Sequence, residues 1–219
     1  MTLLIACGLK REAQRLHRAG RDLFVVAGGG DTGRLERQLD GLTESHPGLI
    51  LSCGIAGGLA RSLRSGDLII DGDASLVAHL RRALPEAIEG KILGGDAIVA
   101  TAAEKRNVAR RSGAIAADME SHVARRVAER RQLPFAAIRV ISDCAEDDLP
   151  PAALVGMRPD GGLALGAVLG SIARRPGQLP ALIQTGRQAD RALGKLADAF
   201  DRLIQMGFDR LNPAEFLPT

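Results

Sequence analysis

The chain has 219 residues, of which 46% are hydrophobic and 25% charged, an ordinary balance for a globular protein. This length suits one α/β domain with a sizeable core. The 29 basic and 26 acidic residues are mixed along the chain and leave a net charge of +3, so no basic stripe marks a nucleic-acid site. Aromatic residues are five Phe, with no Trp or Tyr, which argues against stacking platforms for single strands. We therefore expect no nucleic-acid partner.

The cysteines and the first residues of the chain bear on the cellular compartment in which the protein is expected. Cys7, Cys53 and Cys144 lie at or just past the ends of apolar runs, are odd in number and lack metal-type spacing. They are expected to be reduced thiols, and no metal site is expected. The first residues lack the basic region of a cleavable signal, and no run of 18 apolar residues occurs. We expect a cytoplasmic protein without a membrane span.

Short apolar runs rich in Val, Ile and Leu alternate with amphipathic helical patterns along the chain. This alternation is typical of a mostly parallel sheet that is covered on both faces. The predicted strands are 3–7, 23–27, 49–53, 68–70, 97–100, 114–117 and 135–141. The predicted helices are 10–19, 33–43, 74–83, 102–111, 120–132 and one or two long segments between 162 and 211. We expect a single domain over 1–219, with a core at 1–150 and a C-terminal helical segment at 151–219.

Two features stand out in the C-terminal segment. Gly162, Gly166 and Gly170 recur every fourth residue, which predicts a helix that packs closely onto the sheet. The last predicted helix carries apolar residues such as Phe200 and Leu203 with interspersed Arg. It is either an ordinary amphipathic helix or one that contacts a membrane surface peripherally.

Two acidic segments are the most informative part of the sequence. Asp118-Met119-Glu120 precedes a predicted helix, and Ser142-Asp143 ends the predicted strand 135–141. In open α/β sheets, ligands bind outside the carboxyl ends of the strands. We therefore expect Met119, Glu120 and Asp143 to converge on one small molecule. A carboxylate that binds sugar hydroxyls, beside one that shares a proton with a leaving group, suits cleavage of a nucleoside.

The glycine-rich loop Gly28–Gly33 admits two interpretations. It follows a predicted strand, precedes a helix and matches the dinucleotide fingerprint G-x-G-x-x-G, which would indicate a nicotinamide-dependent reductase. However, it follows the second strand, and the strand 49–53 ends without the acidic residue that binds a ribose hydroxyl. The same loop can instead hold an anion or a polarised water through the backbone of Gly29 and Gly30, with help from the Thr32 hydroxyl.

Four segments, taken together and in order, resemble the nucleoside phosphorylase and nucleosidase superfamily. They are 5–12, the glycine-rich turn 54–59 with Gly66-Asp67, 117–120 and 140–143, and the resemblance covers residues 3–148. It implies a three-layer α/β/α sandwich with a mixed, mostly parallel central sheet. It also implies an enzyme that cleaves N-glycosidic bonds, without a cofactor other than phosphate as a candidate co-substrate, and a homo-oligomer.

The resemblance assigns roles around the base and the sugar. Asp143 would share a proton with the departing purine, and Ser142 would orient that carboxyl. Because an unperturbed Asp titrates near ~3.9, the site would have to raise its pKa by burial or by a nearby carboxylate. Glu120 would accept hydrogen bonds from both ribose hydroxyls, and Met119 would pack against the sugar. The simpler alternatives are a helix-capping or turn aspartate and a glutamate that favours a helix N-terminus.

Further residues have weaker assignments. Glu12 would polarise the attacking water, although a surface position on its helix is an alternative because basic residues flank it. Ile98 and Val99 would line the base pocket or simply pack in the core. His122 lacks a metal-binding partner one turn away and is expected to be structural. Arg139 is either a buried ion-pair partner or a phosphate contact.

Departures from the superfamily pattern favour one subgroup. The chain passes quickly from the strand at 68–70 to Gly94-Gly95-Asp96, and an early hairpin is nearly absent, which predicts an open 5′ side. With 28–31 and the tail 149–180, including Arg158-Pro159-Asp160, this is similar to the hopanoid-associated phosphorylases. The resemblance implies that adenine is released from a nucleoside with an apolar tail, adenosylhopane, leaving ribosyl- or phosphoribosyl-hopane.

Other functions stay open on the sequence. One is a nucleosidase for 5′-methylthioadenosine and S-adenosylhomocysteine, and another is a general purine nucleoside phosphorylase. A third, from another class, is a non-catalytic module that binds a nucleotide or a lipid. The nucleophile is also open, because Glu12 favours water, whereas Lys10, Arg11 and Thr32 could bind phosphate.

Overall fold

The computed structural model describes residues 2–18, 23–46, 48–155 and 164–216. Its strands are β1 (Thr2–Cys7), β2 (Leu23–Ala27), β3 (Gly48–Gly58), β4 (Leu68–Gly72), β5 (Ile88–Glu89), β6 (Ile92–Gly94), β7 (Ala116–Asp118) and β8 (Phe135–Asp143). Its α-helices are α1 (Lys10–Leu16), α2 (Thr32–Ser45), α3 (Ala74–Ala83), α4 (Ala102–Ser112), α5 (Ser121–Arg131), α6 (Pro151–Leu154), α7 (Leu165–Arg174) and α8 (Leu179–Gln205). Short 3₁₀ turns cover Pro176–Gln178, Phe208–Arg210 and Pro213–Phe216.

The strands form one mixed sheet in the order β2-β1-β3-β8-β4-β5, with β7 beside β3 and β6 beside β7. The pairs β1–β2, β1–β3, β3–β8, β4–β5 and β6–β7 are parallel, whereas β4–β8 and β3–β7 are antiparallel. The predicted mixed, mostly parallel sheet is confirmed.

Helices cover both faces of the sheet. On one face, α1, α3 and α8 pack against side chains such as Leu3, Leu51 and Ile138. On the other face, α2 and α5 pack against side chains that include Leu4 and Ile50. Neighbouring residues of the central strands therefore enter different cores, which is why these strands are apolar runs and not alternating patterns. The predicted three-layer α/β/α sandwich is confirmed.

The strand predicted at 97–100 is wrong. The strand of this region is β6, at Ile92–Gly94, and 97–100 is the loop that leads into α4. Thr101 caps α4 by accepting a hydrogen bond from the Glu104 amide, and the Glu104 side chain accepts from the amides of Ala100 and Thr101. This capping box holds the end of the apolar run in a loop conformation.

The glycine-rich turn predicted at 54–59 is largely strand. Strand β3 continues to Gly58, and its pairing with β8 shifts register between Ala56 and Gly57. The irregularity lies at the carboxyl end of the sheet, where β-bulges commonly redirect side chains. It places the glycines of β3 beside the acidic residues described below.

The two C-terminal helices α7 and α8 differ in how they pack against the sheet. The prediction that the glycine-spaced helix packs onto the sheet is wrong, because α7 buries no residue and a Cβ at Gly166 would contact nothing within 4 Å. Gly162, like 158–160 of the tail, lies outside the described residues. Helix α8 is an ordinary amphipathic helix that buries Phe200 and Leu203 against the sheet. Among the described helices, none is both long and apolar enough to cross a bilayer.

Candidate active site

Three neighbouring parallel strands, β1, β3 and β8, bring their carboxyl ends to one edge of the sheet. Strand β1 leads into α1, which carries Glu12, and β8 ends with Asp143. Strand β7 pairs with the end of β3 and leads to Met119 and Glu120. The topology therefore collects the predicted acidic residues at one edge, although they are far apart in sequence.

Glu12 is a buried residue and not a surface glutamate, since it is only 3% exposed. Its Oε2 accepts hydrogen bonds from the amides of Gly8 at 2.9 Å and Leu9 at 2.8 Å. Its Oε1 accepts one from the amide of Ile55 in β3, at 2.9 Å. Burial raises the pKa of Glu12, and these N–H donors oppose that rise. Three backbone donors thus fix this carboxylate between the ends of β1 and β3.

Glu120 lies against the end of β1. A Cβ added to Gly8 would stand 2.2 Å from Glu120 Oε1, so only glycine leaves space for this carboxyl. Glu120 is the N-cap residue of α5, but its side chain makes no capping hydrogen bond. Burial and the charges of Glu12 and Asp118 together raise the pKa of Glu120 to about 8. Its side chain therefore does not cap the helix terminus.

Arg139 of β8 is the buried cation beneath these carboxylates. Its side chain is 1% exposed and pairs with Asp118, to which both Nε and Nη2 donate. The remaining N–H groups donate to the Ser52 carbonyl at 2.8 Å, the Ser52 hydroxyl at 2.7 Å and the Ile138 carbonyl at 2.9 Å. A guanidinium has five N–H donors, and all five are used. Of the two predicted roles, the structure supports the buried ion pair and leaves no donor for phosphate.

Asp143 is held from two sides. Its Oδ1 accepts from the Ser142 hydroxyl at 2.7 Å, and its Oδ2 accepts from Lys105 Nζ at 2.6 Å. A Cβ at Gly57 would be 3.2 Å from Oδ2, so the carboxylate also lies close to β3. No helix begins at Asp143, which excludes the helix-capping alternative. Asp143 is buried, which is one of the two alternatives expected for it, and the charged group in contact with it is the Lys105 ammonium.

Lys105 is the site residue that sequence reasoning missed. It is 0% exposed, and no other residue of α4 is buried. The surrounding sequence, Glu-Lys-Arg-Asn, is that of a solvated helix face, so nothing local distinguishes Lys105 from Arg106. Only the packing of α4 against the loop after β8 reveals the position, because the partners of Lys105 are 38 to 42 residues away.

The predicted base-side residues lie in a loop. Ile98 and Val99 are partly buried in the segment between β6 and α4. The Gly95 amide donates to the Asp118 carbonyl at 3.0 Å, which ties the start of this loop to the residue before Met119. His122 Nε2 lies 3.2 Å from Asp96 Oδ1 in the same loop. Within the described ranges, no cluster of His, Cys, Asp and Glu could hold a metal ion.

The glycine loop after β2 adjoins the same edge. The Gly29 amide donates to the Gly8 carbonyl at 2.7 Å, so this N–H is engaged by β1. Gly30 has a φ of 81°, which favours glycine, and Thr32 is the first residue of α2. Arg11 binds Asp190 of α8 at 2.5 Å on the exposed surface, which directs it away from a phosphate role.

Comparisons with known proteins agree with this arrangement. A family model described as the phosphorylase superfamily matches residues 71–157. The 5′-methylthioadenosine/S-adenosylhomocysteine nucleosidase of Staphylococcus saprophyticus is 30% identical over 136 residues, which are 47% of this chain and 60% of that protein. Over these matched regions, the chain is similar to the nucleoside phosphorylase and nucleosidase superfamily. Its match thus spans about 60% of the length of that curated relative.

Solved structures share the fold of this chain. Futalosine hydrolase of Helicobacter pylori has a TM-score of 0.69 at 14% identity, covering 94% of this chain and 97% of that one. The Neisseria meningitidis 5′-methylthioadenosine/S-adenosylhomocysteine nucleosidase, in complex with methylthio-immucillin-A, has a TM-score of 0.70 at 15% identity, covering 94% and 99%. In this chain β2 is an edge strand, whereas a dinucleotide fingerprint follows a strand at the centre of its sheet. The reductase interpretation of Gly28–Gly33 therefore has little support.

Proposed function

We propose that this protein hydrolyses the N-glycosidic bond of an adenine nucleoside and releases adenine. The observation that carries the proposal is the meeting of Glu12, Glu120 and Asp143 at the carboxyl ends of adjacent strands. The charges of Glu12 and Glu120 interact, and the carboxyl of Asp143 is held separately by Ser142 and Lys105. The nucleosidase activity named for the Staphylococcus saprophyticus relative supports the same reaction.

In the proposed reaction, the bond between the anomeric carbon and the purine nitrogen breaks, and its electron pair goes to the base. Asp143 shares a proton with the five-membered ring of the purine, which neutralises the charge that develops there. A positioned acid of this kind is typically worth ~10²–10⁴ in rate. Ser142 holds the carboxyl through Oδ1 at 2.7 Å. Ile98 and Val99 are proposed to line the base pocket.

The sugar and the water are assigned to the carboxylate pair. Glu120 accepts hydrogen bonds from the two ribose hydroxyls, with Met119 against the sugar face. Glu12 already accepts three backbone hydrogen bonds, and a carboxylate has about four acceptor positions. One position is left for a donor, which suits a single water molecule. That water attacks the anomeric carbon and gives up its proton towards Glu12.

Water is favoured over phosphate as the nucleophile. The Glu12 carboxylate would repel a phosphate dianion. Two of the cations that could offset this repulsion are engaged elsewhere, since Arg139 is saturated and Arg11 binds Asp190. Phosphorolysis, with phosphate held by Gly30 and Thr32, is the second candidate. Equal adenine release in phosphate-free and phosphate-containing buffer supports hydrolysis, and release that requires phosphate supports phosphorolysis.

The finer proposal concerns the 5′ substituent. We propose a bulky apolar group, as in adenosylhopane, because the segment after Asp143 exposes apolar side chains. Leu165 and Leu169 of α7 are each 66% exposed, and Val155, just after α6, is 45% exposed. A small substituent, as in 5′-methylthioadenosine, is the alternative. The homo-oligomer and the peripheral membrane contact stay predictions.

The test is chromatography for free adenine after mixing the protein with adenine nucleosides that carry short and long apolar 5′ tails. Preference for long tails supports the finer proposal, and preference for methylthio supports the alternative. Asp143→Asn is expected to lower adenine release by at least ~10² without unfolding the protein. Asp190→Asn, on an exposed surface pair, is the matched control. An Asp143→Asn protein with unchanged turnover would show that Asp143 is not the acid, whereas a wild-type protein without any turnover would favour the non-catalytic binding module.

A further inference from the structure

Lys105 is the one buried residue of α4, so its ammonium is a buried charge. Its three donors are directed to three acceptors: Asp143 Oδ2 at 2.6 Å, the Cys144 carbonyl at 2.8 Å and the Asp147 carbonyl at 2.8 Å. An ammonium group has three N–H donors, so its hydrogen bonding is complete. Lys105 thus binds the carboxylate and also the loop that follows β8.

A buried ammonium is an expensive way to stabilise a fold. The desolvation of each ion costs several kcal/mol, and apolar residues of similar size often stabilise a protein at least as well. Other hydrogen bonds also hold this loop. Asp147 Oδ2 accepts one from the Cys144 amide at 2.8 Å, and Asp148 Oδ1 accepts one from the Ala102 amide at 2.7 Å. The charge of Lys105 is therefore better explained by what it does to Asp143 than by loop stability.

We propose that Lys105 is the positioning residue for Asp143. Lys105 holds the carboxyl group of Asp143 towards the purine, and it stabilises the negative charge that this group acquires when it gives its proton to the base. The inference rests on the proposed function. Lys105 lies on α4, outside the three strands that form the site, and it contacts the proposed acid Asp143.

The ammonium of Lys105 lies where negative charge develops when Asp143 loses its proton. When a proton moves from Asp143 to the ring nitrogen of the departing purine, the carboxyl becomes a carboxylate at 2.6 Å from the ammonium. The side chains of this pair are 9% exposed for Asp143 and 0% for Lys105, so solvent screens the attraction weakly. A fixed charge that stabilises developing charge in such a site lowers the barrier without any reorganisation. Because Lys105 and Ser142 occupy different oxygens of Asp143, they also fix the plane of the carboxyl.

The experiment compares Lys105→Met with the wild-type protein, using adenine release as the assay. Removing the ammonium is expected to lower kcat by on the order of 10²-fold, with KM changed little, because the effect arises in the transition state. The pH profile of kcat/KM is recorded for each variant, and the limb that is absent in Asp143→Asn is assigned to Asp143. In Lys105→Met this limb is expected to lie at higher pH than in the wild-type protein. Lys105→Arg, which keeps the charge, is expected to move that limb back. Lys91→Met is the control, because Lys91 is an exposed lysine that bonds the Ser112 carbonyl.

If Lys105→Met does not fold, Lys105→Gln replaces it, since the amide can still donate to the Asp147 carbonyl or Asp143. A folded neutral variant with wild-type kcat, or with reduced kcat and an unmoved pH limb, overturns the inference and indicates a structural role. Failure of the proposed function has a different signature, because the wild-type protein then releases no adenine from any nucleoside tested.

Discussion

At the residue scale, the central feature of the site is a glutamic acid that keeps its proton where an exposed glutamate has lost it. Burial and the neighbouring Glu12 raise the pKa of Glu120 to about 8. The two carboxyls are thus coupled, and the site carries less negative charge at neutral pH than its composition suggests. Ribose hydroxyls that donate hydrogen bonds to Glu120 favour the ionised form of this side chain. Binding of the sugar and protonation of Glu120 therefore oppose each other.

This proton makes folding stability depend on pH. Below 4.5, the ordinary pKa of a glutamate side chain, both the native and unfolded states carry the proton. As pH rises from there to about 8, the unfolded chain loses the proton while the native protein keeps it, so native stability falls. Glu120→Gln removes this fall and is expected to gain on the order of 1–4 kcal/mol relative to wild type across that window.

Urea unfolding of both proteins at about pH 5 and about pH 8 measures this difference. Glu89→Gln, at an exposed pair with Arg81, is the control and is expected to show no comparable change with pH. A Glu120→Gln protein whose stability relative to wild type is the same at both pH values would contradict the raised pKa.

At the element scale, close approach of backbone to carboxyl groups sets the geometry of the site. A Cβ at Gly8 would fall 2.2 Å from Glu120 Oε1 and 2.5 Å from its Cδ. Gly8→Ala is therefore expected to displace the Glu120 side chain and to lower kcat/KM by about 10²-fold, as a ~1 Å misplacement of a positioning group can do. Adenine release and thermal unfolding measure the two effects separately.

Two other glycines serve as controls for this substitution. A Cβ at Gly95 would contact nothing within 4 Å, so Gly95→Ala is expected to leave activity and stability nearly unchanged. A Cβ at Gly48 would stand 1.9 Å from the Thr2 carbonyl, so Gly48→Ala is expected to destabilise the β1–β3 pair itself. If Gly8→Ala retained full turnover, the placement of Glu120 at the sugar would be wrong.

The elements also show what the sequence could and could not predict. Strands β1, β2 and β8 follow from their apolar runs, and Glu120 and Asp143 could be placed together because each lies at a strand end. Glu12 was assigned to the site only by the family resemblance. The strand at 97–100 was wrong because the capping box at Thr101 outweighs a short apolar run. Lys105 was missed because its partners belong to a loop distant in sequence, and such packing leaves no local pattern.

At the scale of the whole molecule, the C-terminal helix and the site share one core. Phe200 and Leu203 of α8 belong to the apolar cluster that contains Ile138 and Val140 of β8. Strand β8 carries Asp143 at its end, so α8 supports the site through the sheet. The C-terminal segment is thus expected to unfold together with the sheet and not as a separate unit.

Phe200→Ala tests this coupling. Phe200 is 1% exposed, and truncation of a buried Phe typically costs ~3–5 kcal/mol. Because no Trp or Tyr is present, unfolding has to be followed by helical circular dichroism and by thiol reactivity. Cys53 of β3 is 1% exposed, and burial raises its pKa to about 12, so it reacts only when the sheet opens.

With the partly exposed Cys144 replaced by Ser, both probes are expected to report one transition in wild type. In Phe200→Ala they are expected to shift together to lower denaturant, because loss of the helix exposes the face of the sheet that contains Cys53. Phe24→Ala is the control, since Phe24 is only partly buried and packs on the opposite face. Loss of helical signal before Cys53 reacts would mean that α8 separates from an intact sheet, and Asp143 would then retain its surroundings without this helix.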